Sequence, residues 1–234
     1  MANLKEIKIK IGSVSNTQKT TKAMKLVSSA KLTRTRQLSD QAKSYAIKMN
    51  DVLSEIASRV SSVQDEENIN KAFRPCENPK TVDIVFVTAD KGLCGGFNMA
   101  TIKTVTNLKA EYEAKGVNVR LRASGRKGSD YFSFQRINLE QSTVDLSAAP
   151  DYDKACNFIE QSVKDFNEGL TDKVILVYNG FLNMLTQEIK VRELLPVSLD
   201  NVSINENVTS MLEIEPDDDD EVLVELTGKY IDFN

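Results

Sequence analysis

Neither histidine nor tryptophan occurs in the 234 residues. Without histidine there is no commonest general base, no usual metal ligand and no Ser-His or Cys-His nucleophile pair. Catalysis through Lys, Asp or Glu stays open, but most enzyme classes are disfavoured. The three cysteines, Cys76, Cys94 and Cys156, lie far apart and form no CxxC pair. No metal site, zinc site or disulfide framework is therefore expected. Their spacing fits a reducing compartment, where a buried cysteine behaves as a small hydrophobe. Long apolar runs are missing too. Runs such as Val82 to Val87, broken by Asp83, are far too short to cross a bilayer. The opening MANLKEIKIKIG lacks the apolar core of a secretory signal, so the sequons at Asn201 and Asn207 read as chance matches.

What is present suffices for a core, since 41% of the residues are apolar. The net charge of −4 hides an asymmetry. Residues 1–62 carry 12 basic against 4 acidic side chains, which leaves 18 against 30 for the remainder of the 30 basic and 34 acidic residues. A basic arm on an acidic body has two readings, nucleic-acid binding or docking against an acidic protein surface.

From Asn3 to Val63 there is no proline, and Gly12 is the only glycine. One helix through this stretch would run about 90 Å at ~1.5 Å per residue, far beyond ordinary helix length. Leu38, Ala42, Tyr45, Met49, Val52 and Ile56 repeat in a 4-3-4-3-4 rhythm that continues with one break to Val63. That heptad seam calls for a partner helix. Earlier, a short stripe of Ile7, Ile11 and Val14 gives way to Lys19, Lys22, Met24, Lys25, Lys31, Arg34 and Arg36. A solvated face explains many charge runs, but a long helix with no core of its own needs support from another molecule.

Asn78-Pro79-Lys80 marks a boundary. Residues 81–88 read as a buried strand, followed by the loop ADKGLCGGFN and a helix over 98–115 ending at Gly116. A strand over 117–123, a Gly125–Gly128 turn into a short helix, a helix over 151–168 opening on Asp151, a strand over 173–178 and an extended edge segment over 184–195 complete a small α/β sheet. The Gly92-Leu93-Cys94-Gly95-Gly96 loop is neither a P-loop nor GxGxxG. No acidic residue about 20 positions on sits at the end of a second strand to hold a ribose, so the favoured reading is a tight, closely packed strand-to-helix turn. Cys94 could sit at a helix N-terminus, where a thiol is activated; lacking a base, it reads as a packed cysteine.

Pro216 and the acids Asp217 to Glu221 have the signature of a helix start, and Leu223, Leu226, Tyr230 and Phe233 follow at heptad spacing. Two seams flanking a compact body suggest an antiparallel helix pair.

LKEIKIKIGSVSNTQKTTKAMKLVSSAK (Leu4 to Lys31), TADKGLCGGFN (Thr88 to Asn98) and IEPD (Ile214 to Asp217) together resemble F-type ATP synthase gamma subunits, and the likeness runs along essentially the whole chain. The resemblance implies a central rotor that couples c-ring rotation to ATP chemistry on beta subunits and is itself no enzyme. The implied fold is α/β: long N- and C-terminal helices in an antiparallel coiled coil (1–65 and 211–234) around a small Rossmann-like domain (78–200). Lys19, Lys22, Met24 and Lys25 would face the alpha/beta hexamer, and Ile214 and Glu215 the epsilon subunit and c ring. No cofactor or nucleic acid is implied. The implied location is the cytoplasmic face of the bacterial inner membrane, touching the membrane only through the c ring. Family members extend the C-terminal helix well past the position of Asn234, so either the chain is cut short there or the sequence is a piece of a longer one, and the contacts made by that end fall outside it. A nucleotide-dependent enzyme built on the GLCGG loop and a nucleic-acid adaptor built on the basic arm are the rival readings.

Overall fold

The computed structural model describes residues 3–63, 71–74, 76–146, 151–183 and 186–197. It divides into two units, residues 1–49 and 50–234. The expected C-terminal helix over 211–234, with its acidic start and its seam from Leu223 to Phe233, lies outside the described residues. So do the side chains of the first seam at Tyr45, Met49, Val52, Ile56 and Val63.

Helix α1 runs unbroken from Leu4 to Val63, which the absence of proline permits. Asn3 opens it: its side-chain oxygen accepts from the Lys5 amide at 3.2 Å and its carbonyl from Glu6 at 2.9 Å. The threonines of the polar middle turn back on the helix. Thr17, Thr20, Thr21 and Thr33 each donate to the carbonyl four residues earlier. This satisfies the hydroxyls locally and leaves the lysines as the groups that project.

The second unit is built on a five-stranded sheet in the order β3-β2-β1-β4-β5. The strands are β1 (Thr81–Val87), β2 (Asn118–Ser124), β3 (Gln141–Thr143), β4 (Lys173–Phe181) and β5 (Gln187–Leu195), joined by α2 (Phe97–Ala114), α3 (Arg126–Phe134) and α4 (Tyr152–Asn167). The first four strands are parallel, and β5 closes an edge antiparallel to β4. Strand β1 is central and buried on both faces, which explains its continuous apolar run. Val82, Ile84 and Phe86 pack with Leu121, Ala123, Ile175 and Val177 beneath Ile102 and Val105 of α2 and Phe132 of α3. The alternate residues of β1 and β2 face α4.

Helix α4 starts where the sequence places it: the Asp151 carboxylate accepts from the Lys154 amide at 3.1 Å, an N-cap. Strand β4 continues to Phe181, three residues past its expected end. Strand β3 is not anticipated by the sequence, because three polar residues, Gln-Ser-Thr, carry no strand pattern. The first and last described stretches of the body meet where the Val197 amide donates to the Ala72 carbonyl at 2.6 Å.

Candidate functional site

On α1, Lys19, Lys22, Met24 and Lys25 are all exposed, and no described side chain from Asn3 to Lys48 is buried. Helical spacing divides these four residues. Ile7, Ile11, Val14, Gln18, Lys22 and Lys25 step along one face at intervals of three or four. Lys19 flanks that face. Met24 lies off it, seven residues from Lys31 and fourteen from Leu38, on the row that becomes the heptad seam. Ile11 is 64% and Val14 69% exposed, so this apolar start of the first row is uncovered. Among the described residues no carboxylate pairs with Lys19, Lys22 or Lys25; the ion pair seen on this helix is Arg36–Asp40 at 3.8 Å, between exposed side chains.

The carboxyl ends of the parallel strands are where open α/β sheets receive ligands, at the switch point between β1 and β4. Here protein spans that crevice. The Asn179 amide of β4 donates to Phe97 O at 3.3 Å and to Thr101 Oγ1 at 2.6 Å, both on α2. The expected close packing of the GLCGG glycines is corrected: a Cβ at Gly92, Gly95 or Gly96 would meet nothing within 4 Å. Only Gly95 of the three has a left-handed φ, +60°. Leu93 shares that conformation at φ 60° and is 92% exposed. Cys94 is half-buried rather than packed, with its sulfur 3.2 Å from the Asn98 amide nitrogen that donates to it. The close approach occurs at the next turn, where a Cβ on Gly128 would lie 2.6 Å from the Phe86 ring.

On the α4 face lies a cluster that the sequence reading passed over. Asp83 accepts from Arg122 Nε at 2.7 Å and from Arg120 Nη2 at 3.1 Å. Asp165 of α4 pairs with both Arg120 and Arg122. Arg122 also donates to Gln141 at 3.0 Å, and Gln161 to Asp165 at 2.9 Å. Two carboxylates balance two guanidiniums, which is how buried charge is tolerated. Burial alone would raise the Asp165 carboxyl, but the Arg120 and Gln161 hydrogen bonds and the arginine charges bring it below its ordinary value. Burial opposes the charge on Arg120 as well, and its Asp165 and Asp83 partners outweigh that and raise it. The available signal was Asp83, a lone charge inside a strand that is otherwise apolar. The cluster is internally neutral and holds α4 on the sheet.

The sequence model of the family described as ATP synthase matches residues 3–234. The chain belongs to the ATP synthase gamma family. It is 73% identical over 235 residues to the ATP synthase gamma chain of Aliarcobacter butzleri, covering 100% of this chain and 79% of that one. The gamma chain of Sulfurovum sp. is 51% identical over 234 residues, with the same coverage. A solved central stalk and c-ring of the Tetrahymena thermophila mitochondrial ATP synthase has the same fold. Its TM-score is 0.53 and its identity 24%, over 82% of this chain and 88% of that one. As a gamma-family member the chain is a non-catalytic stalk subunit and part of the rotor of ATP synthesis and ion transport. No helix among the described residues is long and apolar enough to cross a membrane, which fits a peripheral part of a membrane complex. Of the family's positions, Ile214 and Glu215 lie outside the described residues.

Proposed function

We propose that α1 is the shaft of this rotor. In this reading residues 1–65 form its long helix, 78–200 the α/β body, and 211–234 the start of a second helix that pairs with the first as an antiparallel coiled coil. Lys19, Lys22, Met24 and Lys25 meet the alpha/beta hexamer, with the three lysines as the charged contacts. Ile214 and Glu215 meet the epsilon subunit and the c ring, on the cytoplasmic face of a bacterial inner membrane.

One observation carries this reading: a sixty-residue helix has no buried side chain from Asn3 to Lys48 among those described, so its folding free energy must come from neighbours outside it. The Ala72–Val197 hydrogen bond supports it further, because it brings the first and last described stretches of the body next to each other.

The test is charge reversal in a complex reconstituted with alpha, beta and epsilon subunits and the membrane sector. Lys22→Glu and Lys25→Glu, singly and together, should lower ATP-driven proton pumping, most at low ionic strength. The melting of the α/β body should stay as in the parent. Unchanged pumping in the double variant at low and moderate salt would refute the assignment of these lysines.

A further inference from the structure

Helix α3 begins on Gly125, which offers no side-chain cap, yet its first three amides are all satisfied by consecutive residues of the loop after β1. Arg126 N donates to Asp90 Oδ1 at 3.0 Å. Lys127 N donates to Ala89 O at 3.2 Å, and Gly128 N to Thr88 Oγ1 at 3.0 Å. The same Asp90 oxygen accepts a third loop, through Asp145 N at 3.0 Å. Asp90 is 9% exposed. The Ala89 amide in turn donates to Asn98 Oδ1 of α2 at 2.8 Å, so the short run from Thr88 to Asp90 ties both helices to the sheet end.

A carboxylate oxygen accepting two backbone N–H groups at a helix N-terminus, beside the carboxyl ends of parallel strands, has the chemistry that α/β folds give to a bound phosphate. Here the anion is covalently part of the chain. We propose that Asp90 is a built-in oxyanion: it fills from within an oxyanion site of this fold, and so fixes α3, the β3 exit and the glycine-rich loop together without a ligand. Three features distinguish this from an ordinary cap. The donor amides come from two separate segments, the carboxylate comes from a third, and the neighbouring α3 amides are taken by backbone and hydroxyl of that same third segment.

Chemical rescue tests it on the full chain. Asp90→Ala should lower the melting temperature by about 4 °C, the effect of losing a cap of ~1 kcal/mol in a domain of this size. Inorganic phosphate or sulfate should restore most of that loss, and chloride at equal ionic strength should not. The unsubstituted chain should gain less from either oxyanion, because its site is already filled. Asp90→Asn keeps an acceptor in place, so it should lose less and gain no more from phosphate than the parent does. Equal stabilisation of parent and Asp90→Ala by phosphate would mean general salt exclusion and would overturn the proposal. So would an Asp90→Ala variant that melts like the parent, or an Asp90→Asn variant that gains as much as Asp90→Ala. Should Asp90→Ala not fold in phosphate-free buffer, refolding yield becomes the readout. A yield no better in phosphate than in chloride overturns the proposal equally.

Discussion

The carbonyl oxygen of Thr88 lies 2.0 Å from the point where a Cβ on Gly125 would stand. Gly125 also has a φ of +103°, which side-chain-bearing residues rarely adopt. The carboxyl ends of β1 and β2 therefore meet backbone to backbone, with no space for even a methyl group.

Gly125→Ala should cost more than about 3 kcal/mol, since neither the Thr88 backbone nor the left-handed φ can yield cheaply. Gly92→Ala, at a site with open space around it, should stay within about 0.5 kcal/mol of the parent. Urea unfolding of the pair measures the contrast. Equal stabilities would show that the turn can relax.

Arg122→Met removes a guanidinium that is 1% exposed and leaves an excess of buried negative charge at Asp83 and Asp165. A loss of about 3–5 kcal/mol is expected. Adding Asp83→Leu restores neutrality around the remaining Arg120–Asp165 pair and should recover most of it. A double variant no more stable than Arg122→Met alone would place the cost in packing rather than in charge.

Acid should release α4 from the sheet before the sheet itself opens. The Asp165 carboxyl sits below its ordinary value of 3.8 in the folded chain. Its contribution is therefore complete above that value and is lost as pH falls through the lowered folded value. Asp165→Asn should abolish this part of the acid dependence, which sets in as pH falls below the ordinary carboxylate value, read from urea midpoints at successive pH values. An unaltered acid limb in that variant would assign the dependence to other carboxylates.

In the isolated, monomeric chain, amides from Leu4 to about Ser44 should exchange within the dead time of a hydrogen-exchange experiment. Strand β1, between two hydrogen-bonded neighbours, should be protected longest. Protection of that helical segment equal to the protection of β1 would mean that it is covered in the isolated chain.

Most of the architecture was legible because its signals are local. The missing proline gives α1, Asp151 gives the start of α4, and the apolar run around Asp83 gives a central strand. Strand β3 left no trace, because parallel pairing to Arg122–Ser124 and not residue type makes it a strand. The glycines of the GLCGG loop drew the eye away from Gly125 and Gly128, since a crowded glycine differs from a free one only in what lies across from it. The Asp83–Arg120–Arg122–Asp165 cluster was half visible, as a charge in an apolar strand and arginines two apart in the next. Asp165, 82 positions further along, could be matched to them only in three dimensions. Lys19, Lys22, Met24 and Lys25, proposed together as the contact with the hexamer, are not one patch: helical geometry separates Met24 from the lysines.

That separation gives α1 an angular address. Between Lys22 and Leu38 the helix carries Lys22 and Lys25 along one side and the row of Met24, Lys31 and Leu38 along the other. A neighbour that stays still while such a rod turns about its own axis meets Lys22 and Lys25 at one angle and the mixed row of Met24, Lys31 and Leu38 roughly half a revolution later. A rod with the same composition but scrambled order would look alike from every direction and could report nothing about its orientation.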